Sequence, residues 1–142
     1  MHKPFEEIQS DLVRKLPGTS FEFSEAFGDS TILCPKDNLV QVLGHFKNTR
    51  RFDFLMDIAG VDFPQKEKRF EVVYHLFSSK QTDRVRVKVQ LAENESLRTV
   101  TALWKGANWF EREAYDMFGI RFDGHPNLTR ILCHHQFQGH PL

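Results

Sequence analysis

The sequence has few of the features that mark several common protein classes. It contains two cysteines, Cys34 and Cys133, far apart in 142 residues. No disulfide framework is therefore indicated, and a reducing compartment is the simpler expectation. No apolar run approaches the roughly 18 residues of a membrane helix, and the first residues lack the apolar stretch of a secretory signal. There is also no GxSxG sequence and no glycine-rich nucleotide-binding loop.

The chain also lacks an excess of charge of either sign. Nineteen basic and nineteen acidic residues give a formal net charge of 0, whereas proteins that bind nucleic acid or anionic membranes carry a basic excess. Arg84, Arg86 and Lys88 alternate along one segment without interleaved aromatics, so they are predicted to form a solvated sheet face. Neither nucleic-acid binding nor direct membrane insertion is expected. A neutral chain repels copies of itself only weakly, and this favours a protein that is part of an assembly.

Hydrophobic periodicity predicts an α+β fold. Apolar residues recur at helical spacing in four segments, 5–16, 39–46, 97–104 and 108–118. They alternate as in strands at 21–23, 31–33, 52–58, 70–77 and 85–91. The last two strands are predicted to form an antiparallel hairpin. This order suggests an antiparallel or mixed sheet with helices mostly on one side.

Two details of the predicted strands concern which face each residue occupies. Phe52, Phe54, Met56 and Ile58 are expected to share one face, because side chains alternate along a strand. In the next strand, Val73 and Phe77 lie on the face opposite the core. Because both are apolar, that face is expected to meet a helix or another protein.

The periodicity stops after residue 120. We therefore expect a single α+β domain over residues 1–120 and an extended, partner-docking tail over residues 121–142. The chain ends at Leu142 inside a turn-like motif, and a truncated tail is expected for that reason.

Charged residues in the last predicted helix are the first candidates for chemistry. Glu111, Glu113 and Asp116 could act as general acid and base or hold a metal ion. However, Arg112 and Asp116 are four residues apart, which favours an ion pair on a solvated helix face. Glu111 differs because it lies at the edge of the apolar arc, where a carboxylate needs a partner from this chain or another. Asn108 and Glu111 also resemble a capping box that begins this helix.

The tail is rich in residues that zinc prefers. Cys133, His134, His135, His125 and His140 all lie within it, and a small metal-binding module is one alternative. The spacing is poor, because adjacent residues rarely all face one ion, so surface histidines are the favoured interpretation. A free-standing enzyme that uses Glu111 and Glu113 is a further alternative. It predicts a cleft with perturbed carboxylates, whereas a non-catalytic member of an assembly predicts an exposed apolar patch.

The segment 111–132, EREAYDMFGIRFDGHPNLTRIL, resembles the signature of one family of respiratory complex I proteins, the C subunits of NADH-quinone oxidoreductase. Segment 54–78 is also similar to the central sheet of that family. The sequence departs from the family pattern at Asn127 and Thr129, where members often have Asp and Arg, and over residues 133–142, where members usually have an acidic run.

The resemblance implies a non-catalytic structural subunit of the peripheral arm, without a redox centre of its own. No catalytic, cofactor-binding or metal-binding residue is expected in this chain. FMN, iron–sulfur clusters and quinone would belong to partner subunits. The partners implied are other subunits of the hydrophilic arm, chiefly the large subunit that helps form the quinone site. The location implied is peripheral, on the cytoplasmic side of the bacterial inner membrane. The equivalent subunit of a membrane-bound hydrogenase-type complex is the alternative within the family. The residues expected to dock partners are Glu111, Arg112, Glu113, Tyr115, Asp116, Gly119, His125, Pro126 and Arg130.

Overall fold

The computed structural model describes residues 3–26, 29–80 and 82–126. Within these ranges the helices are α1 (Lys3–Lys15), α2 (Leu39–Asn48) and α3 (Ala107–Phe118). The strands are β1 (Glu22–Ala26), β2 (Asp29–Leu33), β3 (Phe54–Asp62), β4 (Phe70–Ser78), β5 (Asp83–Leu91), β6 (Leu97–Arg98) and β7 (Phe122–Asp123). A 3₁₀ turn at Lys36–Asn38 leads directly into α2. None of the helices in these ranges has the length and apolarity to cross a membrane.

Five strands form one mixed sheet in the order β1-β2-β5-β4-β3. β2 and β5 are parallel, and the other neighbours in the sheet are antiparallel. The predicted hairpin of β4 and β5 is confirmed, with Phe70 opposite Leu91 and Ser78 opposite Asp83. β6 and β7 form a separate parallel pair beside it.

All three helices pack on the same face of the five-stranded sheet. Apolar residues of α1, α2, β4 and β5 meet there in one core, among them Phe5, Leu12, Leu43, Phe46, Val72, Tyr74, Val87 and Leu91. Gly60 lies opposite Val72, and a Cβ on Gly60 would approach the Phe118 ring of α3 to 2.8 Å. Therefore α3 covers β3 on this face as well. The predicted α+β class, with a mixed sheet and helices on one side, is confirmed.

The predicted helix at 97–104 is wrong. The backbone of Leu97 instead donates to the carbonyl of Arg121, and the N–H of Thr99 donates to the carbonyl of Asp123. Only one turn, at 100–104, keeps helical spacing, because the N–H groups of residues 103 and 104 both donate to Val100. A long-range pairing therefore overrode a local propensity. The packed core accordingly continues past residue 120 to Phe122, which is buried.

The expectation that residues 52, 54, 56 and 58 share one face is also wrong. A β-bulge between Leu55 and Asp57 inserts one extra residue into β3, and such an insertion exchanges the two faces of a strand. Phe54 consequently lies opposite Phe77 on the face away from the core, while Ile58 is buried in the core. Phe52 precedes the strand and is buried against Phe46 of α2, with ring centroids 5.2 Å apart.

The face of the sheet opposite the helices carries two kinds of side chain. Arg84 and Lys88 of β5 lie there near acidic partners, Asp29 at 3.4 Å and Glu71 at 3.4 Å. This agrees with the predicted charged sheet face. Val73 lies on the same face and is only 6% exposed, although it is not part of the core. No described helix covers this face, so its expected contact with another protein stays a prediction.

Candidate functional site

Helix α3 holds most of the residues singled out by the sequence. It ends, as predicted, at Gly119, which adopts the left-handed conformation with φ 75° and donates its N–H to the carbonyl of Tyr115 at 2.8 Å. The N-terminus of α3 differs slightly from the prediction. Gly106 precedes the first helical residue without a side-chain cap, so Asn108 does not form a capping box. The Glu111 side chain instead accepts hydrogen bonds from Thr99 and Val100.

Glu111 is fully buried and hydrogen-bonded to the segment before α3. The hydroxyl of Thr99 donates to one carboxylate oxygen at 2.5 Å, and the N–H of Val100 donates to the other at 2.8 Å. The Nε2 atom of His125 lies 3.9 Å from the carboxylate and donates to the carbonyl of Asn108 at 3.1 Å. The expectation that Glu111 needs a partner is confirmed, and this chain supplies it. The arrangement ties α3 to the segment before it and to the turn after it.

Burial dominates the electrostatics of this cluster. Desolvation raises the pKa of Glu111 to about 7, although the hydrogen bonds from Thr99 and Val100 act in the opposite direction. Burial likewise raises the pKa of Tyr74 well above 10, and the nearby charges of Glu111 and Cys34 add to this effect. The buried carboxyl group accepts two hydrogen bonds from the segment before α3. It can hold a helix in place, and this is the chemistry that the geometry supports.

The structure places the other expected docking residues around the same helix. Arg112, Glu113, Tyr115 and Gly119 are partly buried, the His125 side chain is 1% exposed, and Pro126 is exposed. Arg130 lies outside the described residues. The cluster brings Glu111 and His125 within 4 Å of each other.

Asp116 corrects one expectation. A helical wheel assigned it, with Arg112, to a solvated face, but its side chain is fully buried. A helical wheel considers one helix alone and assigns charged groups to water by default. It does not take into account other segments of the protein that pack against the polar side of the helix. The ion pair of Arg112 with Asp116 stays a prediction.

Sequence reasoning missed Thr99 and the backbone N–H of Val100, which are the direct partners of Glu111. Both lie in the segment that was predicted to be helical, where the N–H of residue 100 would have been used within the helix. No local pattern in the sequence marks a threonine as the partner of a carboxylate twelve residues later. The one available signal was Glu111 itself, a charged residue beside an apolar arc.

Two further features concern metal binding and thiol chemistry. No group of three histidine, cysteine or acidic residues that could hold a metal ion occurs among residues 3–26, 29–80 and 82–126. Cys133, His134, His135 and His140 lie beyond these ranges, so the metal-binding alternative is not tested there. Cys34 is buried, and burial raises its pKa to about 12. It is therefore not an activated nucleophile.

Comparison with known proteins identifies the family. Residues 32–142 match the family described as respiratory-chain NADH dehydrogenase, 30 Kd subunit. The chain belongs to this family. The resemblance found in segment 111–132 is thereby confirmed, and α3 with its cluster lies within the matched range.

Relatives in the 30 Kd subunit family resemble most of this chain. It is 52% identical over 137 residues to the C/D subunit of NADH-quinone oxidoreductase from Bdellovibrio bacteriovorus, covering 96% of this chain and 24% of that protein. It is 45% identical over 141 residues to the C subunit of NADH-quinone oxidoreductase from Caulobacter sp. strain K31, covering 98% of this chain and 66% of that protein. Both relatives are therefore longer than this chain.

A solved structure shows the same fold in another assembly. It comes from a membrane-bound sulfane sulfur reductase, described as an archaeal respiratory membrane complex. The similarity has a TM-score of 0.72 at 25% sequence identity, and it covers 87% of this chain and 72% of the other. The 30 Kd subunit fold thus occurs in more than one kind of respiratory complex.

Proposed function

We propose that this chain is a non-catalytic structural subunit in the peripheral arm of a proton-translocating NADH:quinone oxidoreductase. In this proposal it docks against the large subunit, of the D type, that helps form the quinone site. The observation that carries the choice of partner is the relative from Bdellovibrio bacteriovorus, which is named as a C/D subunit and is 52% identical to this chain. One polypeptide keeps its C and D parts together permanently, as expected for two parts that contact each other.

The geometry of α3 supports a structural role. Glu111 is fully buried and accepts hydrogen bonds from Thr99 and Val100. It is therefore suited to fix the segment at residues 99–100 against α3, and not to transform a substrate. Arg112 and Glu113 are only partly buried, so their charged groups are within reach of a partner for charge-assisted hydrogen bonds.

The redox chemistry belongs, in this proposal, to other subunits. FMN, the iron–sulfur clusters and quinone are bound by partners, and the complex as a whole is the enzyme. The chain is held at the cytoplasmic side of the bacterial inner membrane by those partners. In a fractionation experiment it should sediment with membranes when the complex is intact and be released when the complex is dissociated by alkaline washing.

A second candidate function follows from the structural relative. That chain belongs to a membrane-bound sulfane sulfur reductase at 25% identity. The equivalent position in such a complex, or in a hydrogenase-type complex, requires the same fold with a different set of neighbours. The identity of the neighbours therefore separates the two functions.

The test is affinity purification of the full-length chain from the membranes of its host in mild detergent, with mass spectrometric identification. Recovery of a D-type subunit together with iron–sulfur subunits of NADH:quinone oxidoreductase is expected. Recovery of sulfur reductase or hydrogenase subunits would favour the second candidate. Recovery of the chain alone with stoichiometric zinc would contradict both and favour the tail residues Cys133 and His134 as a metal site.

Substitution of a docking arginine sharpens this test. Arg112→Ala should reduce recovery of the D-type subunit severalfold, because a charge-assisted hydrogen bond to a partner is lost. Arg14→Ala is the control, since the Arg14 side chain is 74% exposed on α1, a helix with no part in the proposed contact, and it pairs with Asp11. Equal losses for the two variants would show that Arg112 has no specific docking role.

A further inference from the structure

His45 is a buried imidazole that makes no hydrogen bond with the described part of the chain. It belongs to α2 and is only 7% exposed. Neither Nδ1 nor Nε2 has a hydrogen-bond partner among the described residues, although a neutral imidazole carries one donor and one acceptor. The ring instead packs edge-on against Phe46, with ring centroids 6.1 Å apart. A buried polar group without a hydrogen bond is costly, so its presence in a folded protein requires an explanation.

The charges around His45 oppose its protonation. Lys15 and Asp11 belong to α1, and Arg50 follows the end of α2. Burial lowers the pKa of His45 below 6.5, Lys15 and Arg50 lower it further, and Asp11 acts in the opposite direction. The carboxylate of Asp11 is already paired with Arg50. The imidazole is therefore neutral at pH 7, and a proton on it would add a third cation to this junction.

The same junction holds α1 on the rest of the fold. The apolar face of α1 is buried in the core through Phe5, Ile8 and Leu12. Arg50 joins α1 to the end of α2 through Asp11 and, at 3.8 Å, through Glu7. Among the main-chain hydrogen bonds described between different segments, none joins α1 to the sheet. The attachment of α1 therefore depends on side-chain packing and on this charged junction, and α1 can separate while the strand pairing stays intact.

α3 responds to acid in the opposite way. Burial raises the pKa of Glu111 to about 7, so the contribution of this residue to stability is greatest at low pH. The pKa of His45 is lowered, so its contribution is complete above pH 6.5 and is lost as the pH falls below that value. Acid therefore weakens the attachment of α1 under conditions in which α3 is held most firmly. A local release of α1 follows more readily than unfolding of the whole chain.

We propose that His45 is an acid-sensitive switch that releases α1 from the rest of the fold. While the imidazole is neutral, α1 lies against the end of α2 and Asp11 binds Arg50. A proton on the imidazole creates a buried cation beside Lys15 and Arg50, with no hydrogen-bond acceptor among the described residues. Separation of α1 removes this cost, because water then reaches the ring.

Release of α1 uncovers apolar surface that the closed form hides. Phe23 of β1 packs against Phe5 of α1 nearly at right angles, with ring centroids 6.2 Å apart. Phe21 lies beside Phe23, at 5.7 Å. When Phe5 leaves with α1, the Phe23 ring loses this cover at the β1 edge of the sheet. The switch thus converts a change in pH into a newly exposed aromatic surface, with the sheet itself unchanged.

Hydrogen exchange followed by mass spectrometry on the full-length chain tests the switch. Exchange is measured at pH 7 and pH 5, and each rate is corrected for the intrinsic pH dependence of amide exchange. Protection of residues 5–15 should fall about tenfold from pH 7 to pH 5, because the open form binds a proton more tightly than the closed form. Protection of residues 107–118 in α3 should not fall.

Substitutions assign the response to His45. His45→Leu should abolish the loss of protection in α1, because leucine does not titrate and the imidazole makes no described hydrogen bond that would be lost. Lys15→Gln should reduce the loss, because a cation that opposes protonation is removed. His75→Leu is the matched control and should leave α1 unchanged, since the His75 side chain is 34% exposed on β4 and lies 3.7 Å from Asp57.

Two results would overturn the proposal. If α1 of His45→Leu loses protection in acid as the unsubstituted chain does, a different group is responsible. If α1 and α3 lose protection together and to the same extent, acid unfolds the whole chain and α1 has no separate switch. His45→Gln covers the case in which the leucine variant fails to fold. Glutamine is polar but uncharged at both pH values, so this variant should also keep the protection of α1 independent of pH.

Discussion

Replacement of Glu111 by glutamine should remove a pH dependence from the stability of this protein. The pKa of Glu111 rises from the ordinary 4.5 to about 7 on folding because the carboxyl group is buried. The folded state therefore binds a proton more tightly than the unfolded state. The stabilisation that results is fully present below pH 4.5 and is lost as the pH rises through about 7. A difference of this size between folded and unfolded states corresponds to about 3 kcal/mol.

Glutamine resembles the protonated acid at this position. Its carbonyl oxygen can accept the N–H of Val100, and its NH₂ group can donate to the hydroxyl oxygen of Thr99, since a hydroxyl both donates and accepts. The Glu111→Gln variant should therefore match the unsubstituted protein at pH 5 within about 1 kcal/mol. At pH 8 it should be the more stable of the two, by up to about 3 kcal/mol.

Urea unfolding followed by tryptophan fluorescence at pH 5, 6, 7 and 8 provides the measurement. Other groups also titrate. The pKa of His45 is lowered by burial and by nearby Lys15 and Arg50, so its contribution to stability rises with pH. Because His45 is present in both proteins, the difference between their unfolding free energies isolates Glu111. Parallel stability curves for the two proteins over this range would refute the reasoning.

Glu111→Ala is the contrasting variant. Alanine supplies no acceptor, so the buried N–H of Val100 and the hydroxyl of Thr99 both lose a hydrogen bond, and a cavity remains. The expected loss is about 2–4 kcal/mol at pH 5, where the unsubstituted protein is most strongly supported by this group. A loss confined to pH 8 would contradict the assigned protonation.

Four further predictions concern backbone space and thiol reactivity. Gly60→Ala should lower the free energy of unfolding by about 1–3 kcal/mol, because a Cβ there would press on the Phe118 ring at 2.8 Å. Gly44→Ala, in the middle of α2 with open space around its Cβ, should instead raise it by about 0.5–1 kcal/mol in the same urea assay. Gly119→Ala should cost about 1 kcal/mol, because φ is 75° there, and should lower the melting temperature. Cys34 has a pKa raised to about 12 by burial and should react with a thiol reagent roughly a hundredfold or more slowly without denaturant than with it, by mass mapping.

The sequence predicted best where one element forms its own pattern. The alternation in β4 and β5 marks a hairpin because its buried face repeats every two residues, and Gly119 ends α3 because it can adopt positive φ. The prediction failed where distant segments decide the structure. Residues 97–104 carry helical spacing, but Leu97 pairs with a strand more than twenty residues later. A single inserted residue in β3 likewise changed which face Phe54 occupies, and the sequence pattern does not predict this bulge.

The candidate site shows the same division. That Glu111 lies beside an apolar arc, and so requires a partner, can be read from α3 alone. The partners of Glu111, Thr99 and Val100, cannot be read from α3. They depend on how the chain returns to α3 after β6, which is a property of the tertiary fold. The burial of Asp116 has the same origin. The residue types were therefore predictable, and their neighbours were not.

Helix α3 has a buried side and an exposed side, so the effects of substitutions on stability and on docking can be measured separately. Glu111 on its inner side accepts hydrogen bonds from this chain, whereas Trp109 on its outer side is 50% exposed. Changes at Glu111 should therefore alter stability first, and docking only through the position of the helix. Changes at Trp109 should alter docking while stability stays constant. If substitutions at both positions changed stability and docking in a fixed ratio, α3 would act only as part of the core and would have no docking role of its own.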